Sequence, residues 1–471
     1  MKAPVGRAAA RTIALAVAVA FAAAVAGAAC GGARERPPDI ILITADDLSW
    51  DDIEPFGHPG VRTPHLEQLA AAGMRFERAF LASASCSPSR CSTLTGRYPH
   101  ATGAGRLHDP LPEAQVTFLE GLRRAGYEVA IAGKWHLGRA ARARFDRIYA
   151  EAPPGGAGEW RRALLERPRD RPSFLWLSAA DPHRPYADVA GAPPYRPEDA
   201  VVPPYLADTM ETRLDLARYY GAVERLDGLV GAVLGEIDRQ GAGGRTLVLF
   251  MSDNGRPFPR CKPTVYDSGV RTPLLVRWPG HVAPGSVSRS LVSAVDIAPT
   301  ILEAAGVLPP GTMQGRGMLP IFADPGAVIR DHAFAERNWH DHPARDRMVR
   351  TARHKYIRNF YPDLPAVPPE DVKRSPTWRS MEILFARGLL SAGQANCFVA
   401  PRAPEELYDV EADPHELRNL AGDPAHAAIL REMRRALEAW QRDTGDRDTL
   451  GAQPSGPDTG GGAPDTDGAP R

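Results

Sequence analysis

Apolar residues recur along this chain in two alternating rhythms. Short unbroken runs at Ile40-Ile41-Leu42-Ile43-Thr44, Glu128–Ala132, Phe174–Leu177 and Thr246–Met251 have the length and branching of strands buried on both faces. Between them lie helical patterns with recognisable stops. One opens at Thr63-Pro64, runs to Ala72 and stops at Gly73; another runs from about Gln115 to Ala125 and stops at Gly126; a long one fills Glu211–Asp238. Strand and helix in alternation predict an α/β fold with a largely parallel sheet flanked by helices.

Asp324-Pro325-Gly326 breaks that rhythm. Beyond it come short strand-like runs (Ala333–Ala335, Met348–Val349, Lys355–Ile357) and one helical pattern, about Ala425–Gln441. These predict a smaller α+β unit with a short antiparallel sheet. The implied division is a large domain over residues 38–325, a C-terminal subdomain over 326–445 and a tail over 446–471. The tail is rich in Gly, Pro, Asp and Thr with almost nothing to bury, so it is expected to be disordered.

The N-terminus follows neither rhythm. Lys2, Arg7 and Arg11 precede an uncharged run from Thr12 to Ala33, centred on the apolar Ile13–Val25, which reads as an export signal over residues 1–30. The run is long enough to span a bilayer, but it is mostly alanine and ends in small residues, which favours cleavage. Gly27-Ala28-Ala29-Cys30 is similar to a degenerate bacterial lipobox. Cys30 is either lipidated or removed with the signal, and either way an exported, periplasmic or cell-surface protein is expected. Membrane contact is expected only through such an anchor.

Composition removes some function classes. Lys+Arg and Asp+Glu are 57 each, so no global charge points to nucleic acid, and any attraction for an anion must be local. Hydrophobic residues make up 43%, enough for a folded globule. Apart from Cys30 and Cys86, the cysteines are Cys91, Cys261 and Cys397; their spacing matches no zinc pattern, and one disulfide plus a free thiol is compatible with it.

The chemistry sits where strands end. Asp46-Asp47 follows the first run and Asp253-Asn254-Gly255 follows Thr246–Met251. In an open α/β sheet ligands bind beyond the carboxyl ends of strands, so both pairs are expected at one site. Three carboxylates and an amide form an all-oxygen set suited to a hard cation, Ca²⁺ or Mg²⁺. Singly, each pair reads as a cap or a turn. The segment Cys86-Ser87-Pro88-Ser89-Arg90-Cys91-Ser92-Thr93-Leu94-Thr95-Gly96-Arg97 reads as a nucleophile at the start of a helix, with Pro88 in the first turn and Gly96 as the stop. Its N-terminal amides, the helix dipole and Arg90 suit an oxyanion ester.

Cys-x-Pro-x-Arg is a weak pattern alone, but with Leu-Thr-Gly-Arg following, Cys86–Arg97 resembles the signature of the type I sulfatases. That resemblance implies an alkaline-phosphatase-like fold and a cysteine oxidised by a formylglycine-generating enzyme of the host, the hydrated aldehyde being the nucleophile. It implies Asp46, Asp47, Cys86, Asp253 and Asn254 around a cation, usually Ca²⁺. Lys134-Trp135-His136 looks like the family's Lys-x-His, with Lys134 binding sulfate and His136 taking the nucleophile's second proton. His183, in Asp181-Pro182-His183-Arg184, matches the histidine that protonates the leaving group. Lys262, four residues before Tyr266, matches the family's Lys…Tyr-Glu-Gly-Gly-x-Arg, although Asp267-Ser268 here replaces Glu-Gly.

The resemblance covers about Asp39 to Asp443, including the C-terminal stretch Glu406–Leu420. Three runs, Asp181–Arg184, Ser252–Pro259 and Ser375–Trp378, look closer to heparan N-sulfatases than to arylsulfatases. A sulfated small molecule or glycan is therefore the expected substrate, with a sulfate ester and a sulfamate both open. A phosphonate or phosphate ester hydrolase would use the same metal and nucleophile. A non-catalytic binder of sulfated glycans would have no need of the Cys86 context or of paired histidines. His108, His340 and His342 are expected at the surface and not in the substrate pocket.

Overall fold

The computed structural model describes residues 36–149, 157–186 and 195–447. The export segment with Cys30, and the tail from residue 448 onward, lie outside the described residues. Fourteen strands are described: β1 (Asp39–Ala45), β2 (Met74–Phe76), β3 (Ala79–Phe80), β4 (Glu128–Gly133), β5 (Arg147–Tyr149), β6 (Ser173–Ser178), β7 (Thr246–Ser252), β8 (Leu274–Arg277), β9 (Ser286–Ser288), β10 (Val292–Ser293), β11 (Ala333–Arg337), β12 (Asp346–Arg350), β13 (His354–Asn359) and β14 (Glu405–Asp409). Eight form a mixed, mostly parallel sheet in the order β5-β4-β6-β1-β7-β8-β2-β9, with β8 antiparallel to both neighbours. β11-β12-β13-β14 form an antiparallel sheet, and β3 pairs with β10. This is the α/β arrangement with a second, smaller sheet that the sequence predicts, and from Pro38 onward the described residues form one compact unit.

β1 is buried at every position, and its alternation decides which core each side chain joins. Ile40 and Leu42 pack into one core with Phe118, Phe174 and Trp176; Ile41 and Ile43 pack into the other under the long helix Met210–Arg239. The terminal helix Ala427–Thr444 lays Leu430, Met433, Leu437 and Trp440 against Val349, Tyr356 and Leu407 of the antiparallel sheet.

Local chemistry sets several boundaries that periodicity alone misplaces. The helix expected from about Gln115 is Phe118–Arg124, because Thr117 caps it: its backbone N–H donates to Glu120 at 2.9 Å while its hydroxyl accepts from Leu119. Such a cap is worth about 1 kcal/mol. Asp446, assigned from composition to the polar tail, is instead buried, with its carboxylate on the Arg347 guanidinium at 2.7 and 2.9 Å. Cys91, Cys261 and Cys397 are buried free thiols, so among the described residues they form no disulfide. No helix among the described residues is long and apolar enough to cross a membrane.

Candidate active site

Parallel pairing of β1 with β7 sets Ala45 beside Ser252, so the two acidic pairs leave the sheet side by side. The Asp47 amide donates to Asp253 Oδ1 at 3.3 Å, and Asn254 Nδ2 donates to Asp47 Oδ1 at 2.5 Å. Asp47 has φ +71°, one of six non-glycine residues with positive φ among those described; His108 (+68°) and His136 (+48°) are two more at this site. Backbone strain of this kind persists only where surrounding structure holds it, and it gathers at functional sites.

The helix Cys86–Thr95 is buried along its whole length and ends where Gly96 turns left-handed at φ +64°. Cys86 is its first residue, after an extended Ser85, and its Sγ lies 3.3 Å from Asn254 Oδ1 and 3.7 Å from Asp46 Oδ1. Burial pushes the thiol far above its ordinary range, so as a cysteine this residue stays protonated and is a poor nucleophile. One turn on, Arg90 donates from Nε to Asp253 Oδ2 at 2.9 Å and also reaches the Ser178 hydroxyl.

Strand ends deliver the other cations. Gly133 closes β4 with φ +94°, and a Cβ built there would sit 1.9 Å from the Ser178 carbonyl oxygen. Only glycine lets β4 approach β6 this closely, and the next residue, Lys134, is fixed by its amide on that same carbonyl at 3.0 Å. Lys134 Nζ lies 2.5 Å from Asp46 Oδ2. Lys262 Nζ lies 2.9 and 3.0 Å from the two Asp47 oxygens. Three buried carboxylates, Asp46, Asp47 and Asp253, thus face three fixed cations, Arg90, Lys134 and Lys262. Burial, and next the Asp46 charge, raises the Asp253 carboxyl above its usual range.

His183 Nδ1 is hydrogen-bonded to the Arg184 carbonyl, so that nitrogen carries the proton and Nε2 points to Asp47 Oδ2 at 3.8 Å and Asp371 Oδ2 at 3.7 Å. His136 does not meet the carboxylates directly. Its Nε2 is 2.9 Å from His108 Nδ1, and its buried Nδ1 has no partner. Burial, then the Lys134 charge, pushes His136 well below the ordinary histidine range and keeps it neutral.

Donor atoms of Asp46, Asp47, Cys86 and His183 all lie within 4.8 Å of one another. With Asn254 Oδ1 beside them, this is mainly a hard-oxygen set that fits a divalent cation. Asp253 stands beside them, with Oδ2 on Arg90 and Oδ1 3.3 Å from the Asp47 amide, and His183 Nε2 reaches the same cluster from its edge. The surface placement expected of the extra histidines is overturned for His340, while His108 is exposed as expected. His340 is buried, with Nδ1 2.7 Å from the Ser85 hydroxyl, and His108 packs on His136, its amide on Ser87 Oγ at 2.8 Å. His342 is half-buried, 3.1 Å from Glu370.

Asp371 was not singled out in the sequence. It sits in the short turn Glu370–Lys373, and its Oδ2 lies 3.5 Å from Lys262 Nζ. Its only sequence signal is position, four residues before the Ser375-Pro-Thr-Trp run.

A buried nucleophile position at a helix start, beside a cation-binding carboxylate set and three fixed positive charges, defines a hydrolase for oxyanion esters. Comparison with known proteins makes this specific. The model of the sulfatase family matches residues 38–155 and 157–307, and that of the N-sulphoglucosamine sulphohydrolase C-terminal region matches 261–380. The chain belongs to the sulfatase family and is a sulfuric ester or sulfamate hydrolase. An ulvan-active sulfatase of Formosa agariphila is 31% identical over 464 residues, covering 88% of this chain and 76% of its own. Human N-sulphoglucosamine sulphohydrolase is 32% identical over 474 residues, covering 88% and 92%. A protein solved in complex with its substrate D-glucosamine-2-N,6-O-disulfate shares the alkaline-phosphatase-like fold, with TM-score 0.71 at 19% identity over 89% of this chain and 100% of its own.

Proposed function

We propose that this enzyme hydrolyses a sulfated sugar, with the sulfamate of N-sulfoglucosamine as first candidate and a glycan O-sulfate next. The observation that carries the reading is a lock joining the three runs that resemble heparan N-sulfatases. The Arg184 guanidinium grips both oxygens of Asp215 at 2.7 Å, donates to the Pro257 carbonyl at 3.0 Å and stacks over Phe258 at 4.8 Å. Thr377 donates to the same Asp215 at 2.6 Å. Runs far apart in sequence thus form one buried unit that fixes His183 on one side and the turn carrying Asp371 on the other.

In this reading the nucleophile is Cys86 after oxidation to formylglycine by the host's generating enzyme, and the cation is Ca²⁺, with Mg²⁺ the alternative. Asp46, Asp47, Asp253, Asn254 and residue 86 would hold the cation, and it would polarise a sulfuryl oxygen. Arg90, Lys134, Lys262 and the helix N-terminus hold the remaining sulfuryl oxygens in place before reaction begins. His183 Nε2 delivers a proton to the departing atom, and neutral His136 is poised to take one. Residues 38–325 serve as the catalytic domain, with 326–445 as a subdomain that adds Asp371. The N-terminal segment implies export, to the periplasm or the cell surface.

The test is a substrate panel on oxidised, metal-loaded enzyme: N-sulfoglucosamine, O-sulfated monosaccharides and an aryl sulfate. A sugar should lead by kcat/KM, since a site shaped for hydroxyls leaves polar groups unpaired against an aryl ring. An aryl sulfate ahead of every sugar would refute the substrate class.

A further inference from the structure

We infer that Asp371 is a specificity-determining residue that receives the N–H of a sulfamate and so favours an amine over an alcohol as leaving group. The inference rests on the sulfated-sugar reading above and names which bond is broken. Asp371 Oδ2 is buried without a hydrogen-bond partner. Lys262 Nζ at 3.5 Å and His183 Nε2 at 3.7 Å stand at ion-pair distance from it and hold its charge without completing a hydrogen bond. Its other oxygen is spoken for by the Val372 amide at 2.9 Å, which fixes the carboxylate's direction. Glu370 anchors the turn through its amide on Asp341 at 2.9 Å, and buried Val372 pins it from below.

An acceptor-only group in that position treats the two ester classes differently. The bridging oxygen of a sulfate ester brings only lone pairs towards the carboxylate, which is repulsive. The nitrogen of a sulfamate brings an N–H, and a charge-assisted hydrogen bond forms. In the step itself the S–N bond breaks with its electron pair left on nitrogen, while an S–O bond forms to the nucleophile at position 86. His183 Nε2 supplies the proton, and the product is the primary amine. Asp371 holds the existing N–H throughout, so it orients the nitrogen lone pair towards His183. Once released from sulfur the amine takes a proton from water, and the resulting ammonium keeps the same partner.

The experiment uses an isosteric pair, N-sulfoglucosamine and glucose 2-sulfate, on oxidised, metal-loaded wild type and Asp371→Asn. Wild type should prefer the sulfamate. Replacing the carboxylate by its amide should lower kcat/KM for the sulfamate about 30-fold, the size expected for one charge-assisted hydrogen bond, and change the O-sulfate by no more than about threefold. Calorimetry should show glucosamine binding about tenfold more weakly to the variant, with glucose unaffected. Equal losses on both substrates, or a wild type that cleaves glucose 2-sulfate as readily as the sulfamate, would overturn the inference and leave the sulfated-sugar reading intact. If no sulfated sugar is cleaved, that reading fails instead, and the glucosamine arm alone decides the role of Asp371: unchanged binding overturns it.

Discussion

Two clusters among the described residues have the ligand types to hold a metal, and they are built on opposite principles. One is Asp46, Asp47, Cys86 and His183; the other is His100, Glu336 and Asp446. In the second, every demand is met. Arg347 grips Asp446 with two nitrogens, Glu336 accepts from the His100 amide and ring, and none of these side chains has a buried polar atom without a partner. It ties the end of the terminal helix to the antiparallel sheet and has nothing left to offer a ligand. The first has backbone strain at Asp47 and a buried nucleophile position, and around it His136 Nδ1 and Asp371 Oδ2 are buried without hydrogen-bond partners. Buried charge alone does not mark a functional site; unmet valence around it does.

The contrast is open to attack by mutation, and the largest effect belongs to the nucleophile. Cys86→Ala should reduce turnover roughly 10⁴-fold or more while leaving the thermal midpoint near wild type, because the side chain is small and its role is covalent. Multiple turnover near the wild-type rate would end the formylglycine mechanism. Next comes the cation set. Asp47→Ala should cost about 10²–10³-fold in kcat, with metal content in the purified protein falling alongside, and chelation of wild type should reproduce the loss. Full activity in a verified metal-free sample would reduce the acidic pairs to caps and turns.

His108→Phe is expected to be milder, about tenfold in kcat, because it removes only the partner that orients His136. A KM change without a kcat change would place His108 on the substrate instead. At the far end is Asp446→Ala. It should leave kcat at 25 °C untouched yet lower unfolding free energy by about 3 kcal/mol, since it removes the bidentate partner of the buried Arg347 and leaves only Glu336, at 3.5 Å, to balance the charge. The same pair gives a pH signature. Burial opposes ionisation of Asp446, but Arg347 outweighs it and holds the folded carboxyl at about 2, below its ordinary 3.8. Its contribution is therefore complete above the unfolded value and lost as pH falls from about 3.8 towards 2. Urea midpoints across that window should converge for wild type and variant; parallel curves would contradict the latch.

Much of the first cluster was legible in the sequence because it hangs on strand ends. Buried runs announce β1, β4, β6 and β7, and the residues that follow each run are those that reach the site. The helix holding Cys86 carries its own start and stop. What was not legible depends on contacts between distant segments. Asp371 lies in a four-residue turn with no pattern of its own, and only the Arg184–Asp215–Thr377 lock brings it to His183. His340 sits in an irregular segment where no periodicity distinguishes a buried histidine from an exposed one. Asp446 looks like the first residue of a polar tail until its partner, 99 positions away, is known.

One absent atom governs more of this site than most of the atoms present. Any residue but glycine at position 133 would drive a methyl-sized group into the Ser178 carbonyl and force β4 away from β6. Lys134 takes its direction from that carbonyl, and Arg90 reaches the Ser178 side chain. Both cations would lose their bearings together. A substitution there would be scored as a defect in sulfate recognition although residue 133 has no side chain with which to recognise anything. Along this stretch the chain has no room for neutral drift, and a screen for inactivating variants should return position 133 beside Cys86 itself.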